Sequence, residues 1–171
     1  MIECDIRQEV AEDIAAVFSV QAAAFSTEAE AQLVDRLRAN GHASVSLVAV
    51  TNGTVVGHVL FSPVRVVDEQ GMVAGSGLGL APVAVLPEFQ NQGVGKRLIV
   101  EGLAACRATG TNFVVVLGDP GYYQRFGFRL ARPLGIRNEY EVDEFFMVLS
   151  LCDEPLPVGL AKYGPEFAEF G

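Results

Sequence analysis

Two glycines one residue apart, Gly93 and Gly95, stand directly ahead of a cation pair, Lys96-Arg97. Without a Cβ, such glycines let a bulky anion come close to the main chain. From there the apolar spacing turns helical, with Leu98, Ile99 and Leu103 on one side. The first N–H groups of a helix lack intrahelical acceptors, and the helix dipole puts about half a positive charge behind them. A helix mouth of this kind holds phosphate. These residue types therefore predict a grip on a phosphorylated ligand, with side-chain charge available from Lys96, Arg97 and Arg125.

The elements that must position this turn are legible on both sides of it. Val83-Ala84-Val85 is an apolar run suited to a buried strand, and Pro87 ends it by removing a ladder donor. Spacing then separates the known phosphate loops. A dinucleotide fingerprint needs a third Gly or an Ala where Leu98 stands, and a P-loop needs four residues between its glycines and then Lys-Ser/Thr. What remains is Gln90-x-x-Gly93-x-Gly95 after a V-A-V-x-P strand end. This resembles the cofactor-binding motif of the GNAT superfamily of acetyl-CoA-dependent N-acetyltransferases. The resemblance implies acetyl-CoA as co-substrate, its pyrophosphate held by the turn of Gln90, Asn91, Gln92, Gly93, Val94 and Gly95 with Lys96 and Arg97. It also implies that Val83, Ala84 and Val85 pair with the pantetheine arm. The plainer alternative is a glycine turn serving only packing.

A second segment, Tyr122-Tyr123-Gln124-Arg125-Phe126-Gly127-Phe128, follows the turn Gly118-Asp119-Pro120-Gly121. It resembles the second GNAT signature, an aromatic-Tyr pair three residues ahead of Gly-Phe. By that resemblance Tyr123 lies near the thioester sulfur, touches the cofactor and is the candidate general acid. Tyr122, Phe126 and Phe128 read as an aromatic core cluster. The implied reaction is direct attack of a neutral amine on the thioester, with a strand-edge N–H near Val85 polarising the carbonyl. No base is assigned, because the strand from Leu78 to Val85 carries no acid. Glu28, Glu30, Glu88 and His58 are conceivable. Three of them have a plainer role: Glu30 in a capping box with Thr27, Glu88 in a solvated turn, His58 as a satisfied sheet histidine. A water relaying the proton needs none of them.

Along the chain, Ile2, Cys4 and Ile6 alternate as an opening strand. A helix begins near Ala11 with Ile14, Val17 and Phe18 on one face and closes at Phe25. A second buries Leu33, Val34 and Leu37 and stops at Gly41. The resemblance gives these two helices to the acceptor pocket. Ser46–Val50 and Val55–Val67 form a hairpin around the type I′ signal Asn52-Gly53, and Asp68 to Gly71 is a second turn. Gly75, Gly77 and Gly79 allow a bulge or a close contact. After a helix to about Ala108, Phe113–Leu117 is a strand buried on both faces and parallel to the one before the turn. Glu144–Leu151 is a strand, and Gly159 to Phe167 an edge strand with a terminal turn. The fold class expected is α/β: the GNAT fold, a mixed, mostly antiparallel twisted sheet flanked by helices. In it a splayed parallel pair forms the cofactor slot. The tail together with the tyrosine segment resembles the YhbS-like branch of that family.

With 171 residues and no repeats or linkers, the chain is expected to form a single N-acetyltransferase domain, residues 1–171. A net charge of −9 disfavours nucleic acid and anionic lipid as partners and favours an amine-bearing acceptor. No apolar run approaches the ~20 residues of a membrane span, and the start lacks signal-peptide features, so the expected location is cytoplasmic. Cys4, Cys106 and Cys152 are expected to be reduced core residues, and neither they nor His42 and His58 have metal-ligand spacing. A homodimer is left open. Two other functions also stay open. One is an acyl-CoA-binding sensor without chemistry. The other is an enzyme using the turn for ATP or NAD, disfavoured by the glycine spacing.

Overall fold

Asn52 and Gly53 take φ of 50° and 76°, the left-handed pair that a two-residue hairpin turn requires. They join β2 (Val45–Thr51) to β3 (Thr54–Val67), with Thr51 opposite Thr54. The structure is a computed structural model, which describes residues 2–170. Its other strands are β1 (Asp5–Gln8), β4 (Val73–Val85), β5 (Phe113–Leu117), β6 (Arg129–Leu130), β7 (Ile136–Asn138), β8 (Phe146–Ser150) and β9 (Gly159–Tyr163). The helices are α1 (Ile14–Phe25), α2 (Ala29–Ala39), α3 (Val94–Ala108) and the single turn α4 (Pro120–Tyr123). The strands hydrogen-bond in the order β1-β2-β3-β4-β5-β8-β6, with β9 on β3 and β7 on β9. The sheet is mixed and mostly antiparallel. β4 and β5 pair in parallel over only Leu78–Val114 and Gly79–Val115, although β4 runs on to Val85.

Contacts divide the chain into two compact units. The first holds the residues up to Ser62 together with Ala81–Cys106. Here α3 lies against β3 where β3 has no side chain to obstruct it: a Cβ on Gly57 would sit 2.9 Å from Leu98 and 3.1 Å from Val94. On α3 itself, Gly102 faces the ring of Phe61 closely enough that a Cβ would overlap it. The second unit holds Pro63–Leu80 and the chain from Arg107 on. Its core gathers Val64, Phe113, Val115, Ile136, Phe146 and Val148. The strand glycines are packing devices there, since a Cβ on Gly77 would lie 2.7 Å from the Phe113 ring and one on Gly79 2.7 Å from Tyr163.

Several expectations are corrected. The opening strand starts at Asp5 and not at Ile2. The buried face of α1 is Val17, Val20 and Gln21, while Ile14 is 37% exposed. Thr27 and Glu30 pair side chain to side chain at 3.2 Å and form no capping box. The segment after Gly118 is a capped helical turn, and the strand expected from Glu144 starts at Phe146 after one 3₁₀ turn. β9 is not an edge strand, because β3 and β7 flank it. Cys152 is exposed, whereas Cys4 and Cys106 are buried.

Candidate functional site

In the first unit, the turn between β4 and α3 is built by its own side chains. Gln90 Nε2 donates to the Val85 carbonyl at 2.9 Å, and Gln92 Nε2 donates to the Glu88 carbonyl at 3.1 Å. Leu86 N–H donates to the Val56 carbonyl at 2.8 Å, which fixes the strand end. Asn91 and Gly93 then take φ of 62° and 87°. Asn tolerates the left-handed region and Gly is free to enter it, so the types at these positions match the conformation. The first bond of the helix runs from Arg97 N–H to the Gly93 carbonyl at 3.1 Å. The amides of Gly95 and Lys96 thus lie in the opening turn of a 15-residue helix, where no intrahelical acceptor reaches them. Ala84 is buried while Val83 and Val85 are half-buried.

The expected cations divide. Lys96 is exposed, but Arg97 directs Nη1 to the carbonyl of Cys4 and approaches its Sγ at 3.4 Å. In the second unit, Arg125 lies over the Tyr122 ring, 4.6 Å from its centroid. Both arginines are therefore engaged with their own units.

Also in the second unit, Asp119 caps α4 by accepting the Gly121 N–H at 3.1 Å, and its carbonyl accepts from Tyr122 and Tyr123, each at 3.0 Å. Pro120 suits the first helical position. Gly127, with φ of 96°, ends the following 3₁₀ turn. Tyr123 is 9% exposed, and its ring lies between those of Tyr122 and Phe128, with centroids 5.1 and 5.8 Å away. Burial, with Tyr122 adding to it, pushes the Tyr123 phenol up to about 12. It keeps its proton throughout the neutral range. Behind it stands Gly118, where a Cβ would overlap the Tyr123 ring. Neither Gly118 nor Asp119 was marked by the sequence as more than a turn residue, and the Asp-Pro pair was the available signal for a capped helix.

Of the conceivable bases, His58 is fully buried. Ser46 donates its one hydroxyl proton to Glu9 Oε2 at 3.1 Å, so it accepts from His58 Nε2 at 2.8 Å. Nδ1 then carries the lone pair that accepts from Gln21 Nε2 at 2.8 Å. Burial, with Arg38 nearby, pushes the imidazole down to about 3. With both nitrogens engaged, this is a neutral structural histidine, as the sheet reading expected. Glu30 is paired with Thr27, and Glu28 and Glu88 are exposed.

A family model for the acetyltransferase (GNAT) domain matches residues 5–131, which include parts of both units. The chain belongs to the GNAT acetyltransferase family. Its GNAT relatives include the uncharacterized N-acetyltransferase YhbS of Escherichia coli K12, 37% identical over 169 residues, with 96% of this chain and 99% of the relative covered. The crystal structure of E. coli YhbS in complex with CoA superposes with a TM-score of 0.91 at 36% identity, covering all of this chain and 95% of that one. A Brucella melitensis GNAT acetyltransferase in complex with acetyl-CoA gives a TM-score of 0.80 at 38% identity, covering 96% and 98%. The GNAT fold and its YhbS-like character are thereby shown. No described helix is long and apolar enough to cross a membrane.

Proposed function

We propose that this chain is a cytoplasmic N-acetyltransferase, working as one domain, which moves the acetyl group of acetyl-CoA to a primary amine. The acceptor is a small molecule, a peptide or a protein. The observation that carries the reading is the mouth of α3, where Asn91 and Gly93 turn the chain so that the Gly95 and Lys96 amides open a helix. Two solved relatives at 36% and 38% identity hold CoA or acetyl-CoA, which supports the same ligand class here.

Acetyl-CoA supplies the activated acyl group as a thioester. The turn residues Gln90 to Lys96 and the strand end Val83 to Val85 would hold it, the first by amide donors and helix dipole, the second by strand-edge hydrogen bonds. Tyr123 donates a hydrogen bond to the departing sulfur, which leaves as thiolate. Its phenol near 12 lies above an ordinary thiol, at about 8.5, so it serves as a hydrogen-bond donor while charge develops and does not ionise beforehand. His58, neutral and with both ring nitrogens hydrogen-bonded, does not serve as the base, and no base is assigned for the amine.

The test is release of free thiol from acetyl-CoA by the purified chain, with primary amines, amino acids, aminoglycosides and peptide N-termini as acceptors. Amine-dependent release by at least one class is expected. Tight acetyl-CoA binding without release by any acceptor would replace this reading with the sensor alternative.

A further inference from the structure

Gly118 joins β5 to α4, and volume decides what can stand there. Its φ is not among the positive ones, so its backbone is outside the left-handed region that favours glycine. A Cβ would nevertheless overlap the Tyr123 ring at Cε2, with Cδ2 at 2.7 Å and Cζ at 3.3 Å. Three other rings stand close to it. Tyr122 and Phe128 meet it edge-on at 5.1 and 5.8 Å, and Phe126 lies tilted to it at 6.2 Å. The backbone is held as well, since Gly118 N–H donates to the Phe145 carbonyl at 2.9 Å. Gly121 is the contrast within the same segment. A Cβ there meets nothing nearer than Asp119 Oδ1 at 3.5 Å, an ordinary contact, and its φ is not positive either.

We propose that Gly118 is a positioning residue for acetyl transfer: its bare Cα sets the placement of the Tyr123 ring and so of the phenol oxygen. The functional half of this rests on the acetyltransferase reading above; the placement of the ring rests on geometry alone. The overlap falls on one edge of the ring, at Cδ2 and Cε2, so a methyl group at 118 turns the ring about its axis or tilts it. Tilting carries the hydroxyl at the far end furthest. A displacement of about 1 Å at a reacting group is enough for a hundredfold loss of rate.

The experiment compares Gly118→Ala, Tyr123→Phe, the double variant and Gly121→Ala, using acetyl-CoA and the best amine found in the thiol-release screen. Gly118→Ala is expected to lower turnover about as far as Tyr123→Phe does, with the acetyl-CoA KM unchanged. The double variant should fall no further, because both changes remove the same interaction. Gly121→Ala should match the unaltered protein. A readout independent of turnover is the ring spectrum of protein labelled with ¹³C-tyrosine. The Tyr123 signal, identified by its loss in Tyr123→Phe, should move in Gly118→Ala and stay in Gly121→Ala. An unmoved signal overturns the proposal, and so do losses that multiply in the double variant or normal turnover in Tyr123→Phe. Failure of the acetyltransferase reading is distinct, since the unaltered protein would then release no thiol. If Gly118→Ala does not fold, Gly118→Ala/Tyr123→Ala should restore folding, and failure to restore it also overturns the proposal.

Discussion

Gly93 combines two properties that no other residue supplies together, a relaxed backbone at φ of 87° and an open approach to the main chain. Replacing it by Asp brings left-handed strain and a carboxylate to the place proposed for the diphosphate. Calorimetry is expected to show no detectable acetyl-CoA binding by Gly93→Asp, while the fold survives by circular dichroism; unchanged affinity would move the ligand elsewhere. Tyr123→Phe removes only the phenol oxygen, so turnover should fall by about a hundredfold with acetyl-CoA affinity retained. A large affinity loss at normal turnover would make Tyr123 a structural residue. At this scale the turn itself is legible in the sequence, since Gly93 and Gly95 stand directly ahead of the apolar period of α3. Arg97 and Gly118 were not readable in the same way. The partner of Arg97 is the Cys4 carbonyl, 93 positions away in the chain, and Gly118 matters through a ring that only folding brings against it.

Between elements, the placement of α3 depends on two glycine gaps, Gly57 on the strand below and Gly102 on the helix. The Phe61 ring that fills the second gap is fully buried. Gly102→Leu overpacks this contact and should destabilise the chain by about 1–3 kcal/mol, partly offset by better helix propensity. Thermal unfolding checks it, and an unchanged midpoint would show that α3 has slack to move. Long periodic elements were legible, α2 by Leu33, Val34 and Leu37 and β5 by its apolar run. The three-residue β7 and two-residue β6 carry too little pattern to read. β9 reads as an edge in the sequence because nothing there reveals β7, its second neighbour. The buried face of α1 is not legible in the sequence because the helix is apolar nearly all round, so periodicity cannot tell which side is buried.

For the whole molecule, pH sets stability through His58 before the carboxylates respond. The folded state holds this imidazole neutral down to about 3, whereas the unfolded chain protonates it near 6.5. The unfolded state therefore binds more protons between those values. Stability is full above about pH 6.5 and declines as pH falls, by up to about 1.4 kcal/mol per pH unit. Asp13, held low by its hydrogen bond to Arg7, adds its own loss only further down. Urea unfolding at a series of pH values should show the decline beginning near 6.5 in the unaltered protein and a flatter limb in His58→Gln; equal limbs would contradict it. The acidic charge and the absence of a repeated pattern are plain in the sequence, but the hydrogen-bonded chain from Gln21 through His58 and Ser46 to Glu9 is not, because its members come from four separate segments. The most direct measurement is a crystal structure of the chain soaked with acetyl-CoA. The account predicts the diphosphate on the amides of residues 93–96 at the mouth of α3. Density for the ligand at another place, or none at saturating concentration, would contradict it.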